Sequence, residues 1–270
     1  SLRHLQKAVS VIEAPGFAEA SAKASSQNVV FIPNGTASKI LSFMFTGKYK
    51  SWSAFASKLS DWVVLDADQS GDMLSFYGSM TTDGDYSDYV SMFARTDISS
   101  SRLSTVIPST SVAAATLPLR NVAEFIAEYH TFLDARQSLQ TRKSNMDALE
   151  RTAGLSPVAF FTRLEAKEVA TASFMTDGKL ERVNLVRVAK PDTLANSASA
   201  VLQYKYSSFA SSVFGNLFDL EDESAFTYHD GWIISGSAAA VEFFSSGEAG
   251  KYTLKEYMVN AGLDDMFSEG

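Results

Sequence analysis

Two Asp-Gly dipeptides, Asp177-Gly178 and Asp230-Gly231, each stand between short β-prone runs. Aspartate followed by glycine suits the positive φ angles of a type I′ turn, whose twist matches that of the strands it joins. Residues 169–175 with 180–188 therefore read as one antiparallel hairpin, and Phe226-Thr227-Tyr228-His229 with Trp232-Ile233-Ile234 as another. A further hairpin is expected from Trp62-Val63-Val64-Leu65 and 73–80, flanking the turn-favouring segment Asp66-Ala67-Asp68-Gln69-Ser70-Gly71-Asp72. Local antiparallel pairs of this kind, interleaved with helices, predict an α+β fold made of repeated units of antiparallel β-hairpins packed with helices.

The helices announce themselves by their ends. Leu2, Leu5, Val9 and Ile12 recur at helical spacing with no cap before them, so Ser1 is expected to lie inside a longer chain. After the strand Val29-Val30-Phe31-Ile32, Thr36 is placed to cap a helix that Gly47 would end. Helical spacing returns over 86–95, and a strand is expected over 112–117. Asn121 with Glu124 forms a variant of the capping box ahead of Val122, Phe125, Ile126, Tyr129, Phe132 and Leu133 on one helical face. Another helix is expected over 145–154 with a Gly154 stop, and Ser156-Pro157 opens a third with proline at the first helical position. The segment 197–220 reads as helical through Phe209, Val213, Phe214 and Leu217. Ser237 is placed to cap a helix ending at Gly247, and Thr253 with Glu256 makes a second capping box before Gly262.

Serine-rich 99–101 and Pro191 divide the chain into expected units at 1–97, 98–190 and 191–270, sharing one continuous core. Strand 31–32 with its capped helix and strand 232–234 with its own resemble each other, which predicts a divergent internal duplication.

Among 270 residues, 46% are hydrophobic, enough for a packed core. Lys+Arg 23 against Asp+Glu 31 leaves a net charge of −8 with no basic cluster, which argues against nucleic acid as a partner. The absence of cysteine excludes disulfides and thiolate-ligated metals. No apolar run reaches the roughly 20 residues needed to span a bilayer.

Several segments resemble a family of uncharacterised envelope proteins of the Bacteroides group that carry a domain of unknown function. They are Trp62 with Asp66, Met73-Leu74-Ser75-Phe76-Tyr77-Gly78, the short helix to Phe93, Val106-Ile107-Pro108-Ser109-Thr110, Ala166-Lys167-Glu168-Val169-Ala170, and the stretch from Tyr228 through Trp232 to Ser237. The resemblance implies export from the cytoplasm, often as a lipid-anchored protein, to the periplasm or outer-membrane surface, and it implies no activity. Envelope proteins, or the remainder of a longer parent chain, are the partners it suggests.

Candidate sites are few. Asp66, Asp68, Ser70 and Asp72 follow the opening of a calcium loop, where alternate oxygens converge on the ion. Tyr77 stands where that motif has a bidentate glutamate, and strands replace its flanking helices, so an acidic hairpin turn is the favoured reading. Tyr228, His229 and Trp232 flank the Asp230-Gly231 turn and are the residues expected to contact a ligand. Thr36 and Ser237 place hydroxyls at helix starts, but capping accounts for them. His4, His130 and His229 are not spaced to share a metal, and no G-x-S-x-G elbow nominates a serine. The expectation is a non-enzymatic extracytoplasmic binding or scaffolding module without a cofactor. The alternatives are a hydrolase whose site is assembled across units and a weak calcium-binding module.

Overall fold

The computed structural model of the chain describes residues 10–36, 39, 58–70, 73–82, 86, 88–93, 99–191, 202–203 and 205–262. They fall into two units: Ser1–Arg95 with Thr131–Arg136, and Thr96–His130 with Gln137–Gly270. The fold is α+β, and among the described residues every strand pair is antiparallel.

In the first unit, β1 (Val29–Pro33), β2 (Trp62–Ser70) and β3 (Met73–Thr81) form a sheet in that order. A short helix, α1 (Phe17–Ala22), packs against one face. Phe17 meets Phe31 and Trp62 at 5.1 and 5.6 Å between ring centroids, and Ala20 and Val64 close the cluster. The Trp62 indole donates to the Pro15 carbonyl at 2.9 Å, which fixes the entry to α1. Gly78 of β3 lies opposite Leu65, where a Cβ would come within 2.2 Å of the Val64 carbonyl oxygen. Only glycine fits that approach.

The second unit is built on a six-stranded sheet of order β4-β5-β6-β9-β8-β7. Its strands are β4 (Ser111–Pro118), β5 (Ala166–Thr176), β6 (Lys179–Val188), β7 (Leu202–Gln203), β8 (Ala225–His229) and β9 (Trp232–Gly236). Both Asp-Gly turns take the expected form, with φ of 49° and 72° at Asp177 and Gly178 and of 47° and 84° at Asp230 and Gly231. One sheet face carries Ala170, Ala172, Phe174, Leu185, Trp232 and Ile234, packed with Ile107 and with Ala240 and Phe244 of α6 (Ala238–Ser245). The opposite face is covered by a phenylalanine layer. Phe125 on α2 (Val122–Ala135), Phe160 and Phe161 on α4 (Pro157–Arg163), and Phe209 and Phe214 on α5 (Phe209–Phe214) interlock with centroids 5.0 to 5.8 Å apart. The helix α3 (Leu139–Ala153) packs on α4 and α5, and α7 (Leu254–Asn260) follows α6.

The capping residues act as their chemistry requires. Asn121 accepts from the Ala123 amide at 3.0 Å, Ser237 from Ala240 at 3.1 Å, and Thr253 with Glu256 completes a reciprocal box. Pro157 opens α4, and Gly154 ends α3 in the left-handed region.

Other expectations need revision. Residues 98–190 and 191–270 belong to one sheet, because β6 pairs with β9 and no boundary falls at Pro191. Among the described residues of 197–220 the expected helix is confined to α5, since Gly215 at φ 111° breaks it and a single 3-10 turn, Asn216–Phe218, follows. Among the described residues of 86–95, where a helix is expected, there is a 3-10 turn, Val90–Met92. The α3 helix begins at Leu139, earlier than 145. Most of the first helix of the expected duplication, with the N-terminal apolar stretch 2–9, lies outside the described residues.

Phe174 is fully buried between Phe243 and Phe244, at 5.4 and 5.6 Å. Phe174→Ala is expected to lower the unfolding free energy by about 3–5 kcal/mol in urea titration. Gly78→Ala is expected to cost about 1–3 kcal/mol, because the new Cβ meets backbone that has no room to yield.

Candidate functional site

A row of polar side chains crosses the phenylalanine-covered face of the large sheet. Thr171, Asn184 and Ser235 are register partners on β5, β6 and β9, and all three are buried. Buried polar groups need partners; Thr171 Oγ1 donates to the Val183 carbonyl on neighbouring β6 at 3.1 Å, while Asn184 and Ser235 find theirs in the segment between α5 and β8. Asn184 Nδ2 donates to the Phe218 carbonyl at 2.7 Å and Ser235 Oγ to Glu223 Oε1 at 2.6 Å. Arg182 donates to Thr171 Oγ1 and to the Leu217 and Asp219 carbonyls. Glu223 also accepts from the Ser208 amide at 2.6 Å, and Ser208 holds a left-handed φ of 65° there. Burial pushes the Glu223 carboxyl above the ordinary range and nearby Asp219 adds to this, while the bonds from Ser235, Ser208 and Asn184 pull it back. Asn184 Oδ1 beside it is buried without a hydrogen-bond partner.

Outside this row lies a cleft of about 450 Å³ lined by Arg142, Asn145, Thr152, Ser208, Ser212 and Asp219, among others. Arg142 reaches across from α3 to the carbonyls of Ser211 and Ser212, at 2.7 and 3.4 Å, and to Asn216 Oδ1 at 3.1 Å. A cation suits these carbonyls at the end of α5. Ser211 and Ser212 turn their hydroxyls back to the Ser208 and Phe209 carbonyls. The cleft is thus a polar seam whose donors hold helices together, and neither His130 nor His229 lines it.

On the other sheet face Glu168 is fully buried and has four partners. Ser101 Oγ, Thr116 Oγ1 and the Arg102 amide donate to it, and Arg187 pairs with it at 3.2 Å. It fastens the chain ahead of β4 to β5 and β6.

The residues singled out from sequence are dispersed. Tyr228 pairs with Ile233, and His229 with Trp232. Tyr228 and Trp232 therefore project from opposite faces and share no surface. Trp232 is 2% exposed inside the core. His229 lies at the turn, 3.4 Å from Asp230. His130 is half-buried on α2, its pKa lowered by burial and by Lys143 and Arg142. Asp66 turns toward the 24–28 connection, accepting from Ser25 Oγ at 2.6 Å and from the Ser25 and Ser26 amides at 3.1 and 3.0 Å. The Ser25 hydroxyl leads in holding its carboxyl below the usual range. Asp68 is exposed on β2, while Asp72 and the Ser70 side chain lie outside the described residues. Among the described residues no group of three His, Asp or Glu is placed to hold a metal.

The first unit carries a different feature. The sheet face opposite α1 presents Val30, Leu65 and Ala67 with Leu74, Phe76 and Met80, brought together by the registers of β1, β2 and β3. Leu74 is 57% exposed, Phe76 51% and Met80 43%. Adjacent large apolar side chains this open on one sheet face mark an interaction surface more often than chance. Sequence reasoning did not find this face, although Leu74, Phe76 and Met80, at i, i+2 and i+6 on one side of a period-two run, were its signal. It also missed Glu168, whose signal was a charge inside a β-prone run, and Glu223, which nothing distinguishes from Glu221 and Asp222 beside it.

A raised folded-state pKa means that the stability contributed by Glu223 is fully present below the unfolded value and lost as pH rises through the folded one. The urea midpoint of the wild-type protein is expected to fall over that window, and Glu223→Gln is expected to flatten the decline. Asp66 acts with the opposite sign: its contribution is present above the ordinary aspartate range and lost as pH falls through its lowered value. Because its oxygens already accept from Ser25 and Ser26, calcium titration in a thermal-shift assay is expected to leave the melting temperature unchanged.

Comparison with known proteins returned no matching family model, no similar curated protein and no similar solved structure.

Proposed function

We propose that this chain is a non-enzymatic binding or scaffolding module of the cell envelope that receives an apolar partner segment on the open face of its three-stranded sheet. The observation that carries this reading is the joint exposure of Leu74, Phe76 and Met80 on one face, with Val30 beside them. Water-exposed apolar area of this kind is a driving force for association that needs no directed chemistry. The commitment of polar groups to structural bonds supports the same reading. Asp66, Glu168 and Glu223 accept bonds that fasten loops to sheets, and Ser211, Ser212, Ser237 and Thr253 cap or close helical turns.

Placement at the envelope rests on the family resemblance of the segments around Trp62, Val106 and Trp232. No helix among the described residues is long and apolar enough to cross a membrane. Envelope proteins and the remainder of a longer parent chain are the partners this reading favours.

The double variant Leu74→Ser/Phe76→Ser tests the proposal. Wild-type protein is expected to bind an environment-sensitive hydrophobic dye, and to retain from envelope extract a partner that the variant releases. Both side chains are half exposed, so the urea midpoint is expected to move little. Undiminished dye binding and retention by the variant would remove this face from the function.

A further inference from the structure

The large sheet ends on one side at β7, a strand of two residues, and on the other at β4, a strand of eight. Edge strands of that length are ordinarily blunted by charge, by proline or by a covering element. Strand β4 has little of this. From Leu103 through Leu119 the sequence contains no ionisable side chain, and proline enters the strand only at its last residue, Pro118. A bulge between Ser111 and Ala113 is its one interruption.

The register shows which backbone groups are free. The Leu119 amide donates to the Lys167 carbonyl at 2.8 Å. In an antiparallel ladder narrow pairs alternate with wide ones, so the amides and carbonyls of Leu117, Ala115 and Ala113 point to β5. Those of Ala114 and Thr116 point outward, and among the described residues nothing pairs with them. The side chains that would flank an added strand are small or β-branched. Val112 is 62% exposed, and Ala113, Ala114 and Thr116 are exposed as well.

We infer that the outer edge of β4 is a strand-addition site and that its occupant is β4 of a second copy, paired antiparallel about a two-fold axis near Ala115, which sets Ala114 of each copy opposite Thr116 of the other. Two copies of a chain of net charge −8 repel one another, and an uncharged edge is where that repulsion is least. The edge is also self-complementary. Ala114 and Thr116 offer one donor and one acceptor each, so two copies running in opposite directions satisfy one another's free groups. Side chains as small as alanine let the two backbones approach to hydrogen-bonding distance without a clash. The resulting sheet runs continuously through both copies.

The test is the oligomeric state of the whole chain, measured by sedimentation velocity between about 5 and 500 μM, a range suited to a small interface. The wild type is expected to dimerise reversibly within it. Ala114→Pro removes an outward amide without removing a bond to β5, and is expected to leave the protein monomeric at every concentration. Because proline could disturb the strand itself, Ala114→Lys and Ala114→Glu are the second arm. Each places like charges near the two-fold and is expected to be monomeric, while their equimolar mixture is expected to dimerise at least as well as the wild type. A wild type that stays monomeric throughout would overturn the inference. So would a dimer that survives Ala114→Pro and both charged variants. If such a dimer were lost in Leu74→Ser/Phe76→Ser, the open apolar face would be the contact between copies and β4 would not.

Discussion

The pairing of β6 with β9 is the contact on which the second unit depends. It joins two hairpins that are local in sequence into one sheet, and it makes β6 an interior strand with cover on both faces. Val183 and Leu185 point into the cluster under α6, while Asn184 points the other way, beneath the segment that follows α5. A strand buried on both sides cannot alternate apolar with freely solvated polar residues. Each polar side chain on it must meet a partner or raise the free energy of the fold. Thr171 is met within the sheet by the Val183 carbonyl and Arg182. Asn184 and Ser235, in contrast, are a demand on whatever lies over the sheet, which the 215–223 segment meets through the Phe218 carbonyl and Glu223 while its Leu217 and Asp219 carbonyls hold Arg182.

The two buried carboxylates answer that demand differently. Glu168 receives three neutral donors and a guanidinium, so its charge is compensated where it stands. Among the described residues Glu223 receives no cation within bonding distance; its partners are an amide, a hydroxyl and a distant carboxamide. Desolvation therefore dominates at Glu223 and its proton is held more tightly. One carboxylate works as a charged fastener, and the other couples the packing of α5 against the sheet to pH.

Legibility followed the range of the interaction. The Asp-Gly turns, the Ser237 and Thr253 caps and the Gly154 stop could be read because each is decided within a few residues. The order of the strands could not. Nothing local to β6 names β9 as its neighbour, and Pro191 looked like a boundary although the sheet continues across it. The helix read over 197–220 failed because Phe209, Val213, Phe214 and Leu217 keep helical spacing across Gly215, where the chain in fact turns sharply. The pairing of Tyr228 with Trp232 as one platform was avoidable. A two-residue turn at Asp230-Gly231 makes His229 and Trp232 partners, which sends Tyr228 to the other face. Glu168 and the Leu74, Phe76 and Met80 face were likewise written in the period-two pattern. Their meaning depends on which face of each sheet is covered, and that is decided by contacts distant in sequence.

The two units differ in how completely they satisfy themselves. The large sheet has helices on both faces, and its buried polar groups are tied to loops that can reach them. In the small sheet, α1 is six residues long and covers one face, with Phe17 and Ala20 as its buried contribution. The face that α1 does not reach keeps the residues of a core without the burial of one. Leu74, Phe76 and Met80 gain the packing and dehydration that their composition favours only through something laid against them. Attraction of this kind is strong but undirected, so selectivity would come from the backbone edges and polar residues around the patch. The unpaired edge of β4 offers the complementary kind of contact, directed by hydrogen bonds and poor in apolar area. An apolar face and a directional edge are thus what the chain leaves unsatisfied among its described residues, while the carboxylates and hydroxyls of its interior are engaged in holding it together.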